Sequence, residues 1–359
     1  MKRAAFALAF LLLSLAAVSS SDAGRMDKFS AMAPAKWGYI DRAGALVIAL
    51  QFDSASSFSE GLARVGAGEK DGFIDKTGKF AIEPRFDNAK SFDQGMAWVE
   101  TGGKWGCIDK AGKFAIEPRF DFAEPFHEDL AWVMIGRKWG CIDKTGKVVI
   151  EPQFDHGEPF QEGLAWVEMS GKWGCADKTG KIAVPLQFGK IPFGFSEGLS
   201  PALIGKKYGY IDREGKTAIE PKFDFAFQFK HGLAMVRVDD QSGPRYPFID
   251  KKGEFAAETS SHKAERYGEG LIPEAEGGKW GYKDKTGRFV IAPRFDGASP
   301  FYEGLAHVVM DRKAGFIDTA GKIVCEPKYD HVFSFSEGLC TVGNTAWPEK
   351  KPQPDAPAR

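Results

Sequence analysis

The sequence predicts an all-β fold, a tandem array of about nine three-stranded units, and three observations carry that prediction. The phrase KWGCIDKAGKFAIEPRFD at Lys104–Asp121 returns thirty-four residues later as KWGCIDKTGKVVIEPQFD at Lys138–Asp155. Phased on the glycine of its WG pair, it marks Gly38, Gly72, Gly106, Gly140, Gly174, Gly209, Gly281 and Gly315, with Pro247 in the slot of a seventh copy. A period of this length signals a repeat architecture in which no unit buries its apolar face alone. Next, another glycine follows every mark by six residues, from Gly44 to Gly321. Finally, one slot is aromatic in all nine copies (Phe58 through Tyr267 to Phe335) and a second in eight (Phe52 to Tyr329). Rings kept so uniformly read as core, each burying on the order of 150–250 Å².

Each element follows from local chemistry. Asp-Lys-Thr-Gly, as at Asp143–Gly146, suits a type I turn: the Asp accepts backbone hydrogen bonds, and the Gly takes positive φ in a bulge. WGCID and KVVI therefore form a β-hairpin. Upstream lies FxEGLAxV, as at Phe160–Val167, whose glycine turns the chain into a third strand; Asp129 replaces that glycine once, which a residue tolerant of the left-handed region allows. Prolines such as Pro84 and Pro118 are expected to close the last strand, where a missing N–H does no harm. The first and last units show no sign of sharing a sheet, so an open, twisted β-solenoid is expected, with a closed β-propeller as the alternative. The 35- and 38-residue steps around copies five to seven are loop insertions in either case.

Four segments are expected: a signal peptide at 1–23, a linker at 24–35, the repeat domain at 36–346 and a disordered tail at 347–359. Lys2 and Arg3 precede an apolar run from Ala4 to Val18, with small residues at Ser19–Ala23, the pattern of a cleavable secretory signal. That run is shorter than the roughly 20 residues a membrane span needs. The mature chain is therefore expected to be periplasmic or secreted, without a transmembrane helix. Forty-eight basic residues against 49 acidic ones, spread over every repeat, lack the footprint of a nucleic-acid binder.

The KWG triplets beginning at Lys36, Lys104, Lys138, Lys172 and Lys279, the IDKTGK-type turn and the FxEGLAxV stretch together resemble the WG-repeat, or KWG-repeat, proteins of bacteria, over nearly the whole span from Lys36 to Val342. That family is defined by its pattern and is not tied to one activity. The chain departs from the pattern at Asp71, Tyr208, Tyr246 and Ala314 in the Trp slot, and in the degraded seventh copy.

No catalytic constellation emerges. The turn aspartates recur as turn caps, and nine equivalent carboxylates specify no acid/base pair. Glu60, Glu162, Glu197, Glu269, Glu303 and Glu337 show no calcium-loop spacing. The six histidines form no HExxH, and neither a GxSxG nor a Walker-type loop occurs. The chain reads as no enzyme, with no cofactor and no metal. Cys107, Cys141 and Cys175 share a slot that elsewhere holds Tyr or Phe, so they read as buried thiols. Equivalent positions three strands apart lie about 14 Å from one another, beyond the roughly 7 Å limit for a disulfide. Cys325 and Cys340 remain a candidate pair.

Binding surfaces of repeat proteins lie where the scaffold recurs and the side chain varies. The slot after LA holds Arg64, Trp98, Trp132, Trp166, Pro201, Met235, Pro273, His307 and Thr341. Trp98, Trp132 and Trp166 form a stripe that either covers the neighbouring repeats or, exposed, stacks on sugars or apolar peptide groups; Arg64 and His307 complete the candidate binding set. The basic residue before each WG reads as a solvated edge charge, with a row that meets an anionic polymer as the alternative. The sequence thus points to an exported, non-catalytic scaffold that binds a protein or other cell-envelope component through its repeated face. A carbohydrate-binding module using the Trp stripe is the alternative, and a hydrolase a third reading.

Overall fold

A WG phrase folds as a hairpin because its turn satisfies itself. Asp143 Oδ1 accepts the Thr145 N–H at 2.9 Å, the Thr145 hydroxyl at 2.6 Å and the Lys147 N–H at 3.1 Å. The Gly146 N–H returns to the Asp143 carbonyl at 2.9 Å, with φ at +85°. The same turn, with Asp as acceptor, recurs at Asp41, Asp75, Asp109, Asp177, Asp212, Asp250, Asp284 and Asp318. These hairpins are seen in a computed structural model that describes residues 33–189, 193–241, 243–257 and 268–346. The chain divides into a body, Lys36–Asn344, and a unit made of Met1–Ala35 with Thr345–Arg359. The expected signal peptide, nearly all of the linker and the C-terminal tail lie outside the described residues.

The glycine of WG is fixed by the partner strand. Trp105 pairs with Phe120 and Cys107 with Ile116, so two steps on one strand face four on the other and Glu117-Pro118-Arg119 bulges over Gly106. A Cβ on Gly106 would lie 2.6 Å from the Ile116 carbonyl oxygen and 2.7 Å from Pro118 N, and no side chain fits there. The expected place of the prolines is thereby corrected. Pro118 does not close its strand but sits inside Phe114–Phe120, at a bulge on a strand that ends its sheet, where the ladder asks for no N–H.

The EG pair makes the other turn. Glu60 and Gly61 both have positive φ, 54° and 86°, and Ser59 and Leu62 exchange hydrogen bonds across them at 2.9 and 3.2 Å. This is the two-residue hairpin loop whose twist matches that of its strands.

The described residues form nine antiparallel sheets: six of four strands, two of three and one of five. In the sheet made of Ser54–Ala55, Ala63–Ala67, Lys70–Ile74 and Phe80–Phe86, the strands lie in chain order. The strand unforeseen in a three-stranded unit is the two-residue one, Ser54–Ala55, whose pairing with Gly66 and Val65 is too short to leave a periodic signal. The five-stranded sheet gains Gly243–Arg245, which falls within the 38-residue step. Apart from Gly268–Gly270, a short 3₁₀ turn, no helix occurs among the described residues.

Neighbouring sheets cover each other. Where Gly112 turns, a Cβ would meet Ile82 of the preceding sheet at 3.2 Å, and Gly146 stands likewise over Ile116 at 3.1 Å. Arg85 donates to the Gly112 carbonyl at 2.5 Å while lying over its own Phe86 ring; Arg119 repeats the contact with Gly146 and Phe120. The turn glycine is thus required twice, by its φ and by the sheet beneath it.

The ends of the body meet, contrary to the expectation that the first and last units stay apart. One sheet contains Leu46–Phe52, Ala33–Asp41, Leu339–Ala346 and His331–Ser336 in that order. Gly44 turns over Cys325, Gly61 N–H donates to Glu337 at 3.0 Å, and Ser336 Oγ donates to the Phe58 carbonyl at 2.7 Å. The seventh repeat keeps its turn at Asp250–Gly253 but has only two-residue strands at Phe248–Ile249 and Phe255–Ala256.

Gly106→Ala is expected to lower stability by about 1–3 kcal/mol, the usual cost of forcing a group into filled space. Equilibrium urea unfolding measures it, and an unchanged midpoint would show that the Pro118 bulge yields to a methyl group.

Candidate functional site

The residues singled out from the sequence fall mostly inside. Trp98, Trp132 and Trp166 are 4, 2 and 1% exposed. Each lies flat on a phenylalanine of the following repeat: Trp98 on Phe126 at 5.7 Å and 16°, Trp132 on Phe160 at 5.8 Å and 5°, Trp166 on Phe195 at 6.3 Å and 13°. The exposed stripe is therefore not formed, and no indole face is open for a sugar to stack on. The slot varies because each repeat fills the same buried space differently. Arg64 is held by Asp71 at 3.1 Å, and Asp71, 8% exposed in a Trp slot, also accepts the Ala89 N–H at 2.9 Å. Thr341 Oγ1 donates to the Ser56 carbonyl at 3.3 Å. His307 rests 6.3 Å from the Phe316 ring, where burial pushes its pKa down.

The charges that recur are framework. Glutamates of these turns reach into the next repeat: Glu60 accepts the Gly95 N–H at 2.9 Å, Glu128 that of Gly163 at 3.0 Å, Glu197 that of Gly232 at 3.0 Å and Glu337 that of Gly61 at 3.0 Å. A basic residue of a turn further along joins it, as Lys110 does Glu60 at 3.2 Å, Lys178 does Glu128 at 3.2 Å and Lys76 does Glu337 at 3.1 Å. Arg42 pairs with Glu303 in the same way. These carboxylates are engaged by donors, and no group of three or more metal-ligating side chains occurs among the described residues.

The basic residue before WG stays about half exposed, as a solvated edge charge does, and is paired as well. Lys36 holds Asp53 at 2.6 Å, Lys138 holds Asp155 at 2.6 Å, Lys207 holds Asp224 at 2.6 Å and Lys313 holds Asp330 at 2.6 Å; Lys70 with Asp87, Lys104 with Asp121 and Lys279 with Asp296 repeat the pair. The second oxygen of the Asp accepts a backbone N–H from the next strand turn, Gly68 at 2.8 Å for Asp53 and Ser170 at 2.7 Å for Asp155. The lysine hydrogen bond, and after it the backbone N–H, hold these carboxyls below the ordinary 3.8. All five cysteines are unpaired and buried, and burial pushes the thiols of Cys107 and Cys340 up to about 12, so none is poised as a thiolate.

With framework charges assigned, the residues that vary and reach solvent lie on the short first strands and just beyond them. The position after each FD carries Ser54, Asn88, Phe122, His156, Phe225, Gly297 and His331, and two residues on stand Ser56, Lys90, Glu124, Glu158, Phe227, Ser299 and Phe333. Three sheets carry a continuous ladder here: Trp105 to Phe122 at 5.9 Å, Phe122 to Trp139 at 5.7 Å, Trp139 to His156 at 5.7 Å and His156 to Trp173 at 5.6 Å. Lys90 Nζ stands 4.8 Å over the Phe122 ring and pairs with Glu124 at 3.3 Å, and Glu158 meets His156 Nε2 at 3.3 Å. Elsewhere Phe225 packs on Phe193 and Phe227, and Trp37 lies against His331 and Phe333, the last half-exposed. Sequence reading missed this column because the two-residue strand after FD is too short to leave a periodic signal.

The arrangement defines a β-repeat protein with an invariant polar framework and a variable aromatic edge. The chain belongs to the family of the WG containing repeat, whose profile matches residues 37–70, 72–105, 105–139, 139–173, 173–208, 208–241, 280–313 and 315–343. The unmatched stretch between 241 and 280 is the seventh copy. No curated protein matches the sequence. Similar solved structures include Kluyveromyces lactis Hsv2, 8% identical, with 72% of this chain and 89% of that one covered at a TM-score of 0.36. The dihydro-heme d1 dehydrogenase NirN is 10% identical over 80% and 72%, TM-score 0.36, and the N-terminal domain of Nup159 9% identical over 86% and 96%, TM-score 0.30. Likeness at these scores carries no argument about function. No helix among the described residues is long and apolar enough to cross a membrane.

Two outcomes are expected of the framework. Because the paired aspartates are lowered in the fold, their contribution is complete above 3.8 and is lost as pH falls through the lower folded value. Urea midpoints taken between about pH 2 and 6 should drop on the acid side, less steeply in a Lys104→Gln, Lys138→Gln double variant. Trp132 Nε1 donates to the Glu158 carbonyl at 2.7 Å, whereas buried Trp98 Nε1 has no partner. Trp132→Phe should therefore cost about 1 kcal/mol more than Trp98→Phe, again read from urea unfolding.

Proposed function

We propose that the chain is an exported, non-catalytic scaffold whose sheets close into a ring, as in a β-propeller, and which binds a protein or other envelope component through its short first strands. The single observation that carries this reading is the contrast within each repeat. Turn Asp, EG carboxylate and KWG lysine are taken up by hydrogen bonds that recur from sheet to sheet, while the position after FD changes from Ser54 to Asn88, Phe122 and His156 in successive repeats. Aromatic groups with a few charges beside them are the composition that interfaces favour at their cores.

Ring closure is supported by the sheet that joins Ala33–Asp41 to Leu339–Ala346 and by the Glu337 clasp on Gly61. Export is supported by Lys2, Arg3 and the apolar run after them.

The binding reading is tested by quantitative capture from an envelope extract, comparing the natural chain with a Phe122→Ala, His156→Ala, Phe225→Ala variant of unchanged fold. Loss of at least ten-fold in one captured component is expected. Equal capture by both chains would remove the first strands as the binding face.

A further inference from the structure

One joint between sheets carries a pair of substitutions found at no other. The residue four places after a turn glycine and the alanine of the following EGLA recur as a large and a small partner. They belong to neighbouring sheets and share one buried cluster: Ile82 with Ala97, Ile116 with Ala131 and Ile291 with Ala306, and three further joints repeat the arrangement. Where one member changes, the other changes with it, as in Val184 with Ser200 and Ala257 with Ile272. At the join of the chain's two ends both places hold cysteine, Cys325 and Cys340. Both lie in a single cluster with Phe316, Tyr329, Phe335 and Val342.

Two cysteines nearly conserve the volume of an isoleucine and an alanine, because the small place gains what the large place loses, and a swap that keeps the total volume packs at little cost. That compensation works only where the two side chains meet. Burial raises the Cys340 thiol to about 12, and the charge of Cys325 beside it adds to the rise. The remaining cysteines have no such neighbour in their cores, since Cys107, Cys141 and Cys175 each lie in a different cluster. Cys325 belongs to the strand Ile323–Tyr329 and Cys340 to Leu339–Ala346 of the sheet that joins the ends.

We propose that Cys325 and Cys340 form a disulfide when the chain folds in the presence of a small-molecule disulfide, and that this bond locks the joining sheet onto its neighbour. The Cys325 thiolate attacks the oxidant, one thiol leaves, and a mixed disulfide results. Cys340 then gives up its proton and attacks the Cys325 sulfur, releasing the second thiol. Two protein thiols are oxidised and one external disulfide is reduced. Folding is the moment for this exchange, because a thiol raised by burial is inert in the finished core. There the Gly44 turn covers Cys325 so closely that an added Cβ would lie 2.8 Å from the cysteine Cβ. Export would bring the chain to a compartment where such bonds form, while the pairing itself rests on the two slots alone.

The full chain is refolded from urea with excess oxidised glutathione or with dithiothreitol, and its thiols are mapped by iodoacetamide labelling in urea and peptide mass analysis. All five cysteines are expected free after dithiothreitol, and all but Cys325 and Cys340 after glutathione, those two being linked to each other. The oxidised chain should unfold at a higher urea midpoint than the reduced one. A Cys325→Ile, Cys340→Ala variant restores the pair used at other joints, so it should fold and give one midpoint under both conditions. The proposal is overturned if Cys325 and Cys340 stay reduced, or if either holds glutathione or another cysteine instead. It is equally overturned if linked and reduced chains unfold at the same midpoint, or if the variant's midpoint shifts with the oxidant as the natural chain's does.

Discussion

What the rest of the structure depends on is that no sheet completes its own hydrogen bonding or its own apolar cover. The N–H of most EG glycines looks to a glutamate in the repeat before it, as Gly95 does to Glu60, and most turn glycines rest on a side chain of the previous hairpin, as Gly146 does on Ile116. An array built this way has a first sheet with unanswered donors and a last sheet with an unanswered acceptor. Joining the two ends answers both at once: Gly61 finds Glu337 and Gly44 finds Cys325. The contacts at the join are the same in kind as those between interior sheets, which is why the closing sheet needs no special sequence.

The joining was not read from the sequence, although the phase of its parts carries it. Nine EG turns run from Gly61 to Gly338, and nine hairpins from Gly38 to Gly315. The first hairpin therefore has no EG strand before it, and the last EG strand no hairpin after it. Each lacks what the other has. The turns were legible, because Asp and Gly at fixed spacing answer to local backbone chemistry alone. Pro118 was misplaced because a bulge is a property of two strands: its cause is Gly106 across the ladder, and neither residue implies it separately.

Of the two readings of the tryptophan slot, the covering one holds and the exposed one does not. Change of side chain from repeat to repeat was taken as a sign of the surface, yet partly buried Arg64 and buried Trp132 and Thr341 occupy equivalent places and solve one packing problem by an ion pair, a stacked ring and a hydroxyl. Variation inside a repeat protein is tolerated wherever an adjacent strand varies in step, as Asp71 does with Arg64. The column at Phe122 and His156 differs in that its changes have no compensating partner in the framework. His156 and Glu158 remain nearly half open to solvent, and the change from Phe122 to His156 alters the outward chemistry while Trp139 touches both.

The charge count acquires a meaning from this. Forty-eight basic and 49 acidic residues look like a featureless balance, but a large share of them is committed to pairs that span neighbouring strands or sheets. A framework that neutralises its own charges locally presents little long-range field, so it neither steers nor repels a partner in general. Recognition then falls to the few positions where the pattern is broken. Gly189 breaks it by subtraction, standing where seven repeats carry the lysine-paired Asp, and Phe122 or His156 by substitution, placing a ring where Ser54 and Asn88 stand in other repeats. In a chain that repeats itself nine times, the departures are the only places where one sheet can be told from the next, and a specific ligand needs such a place.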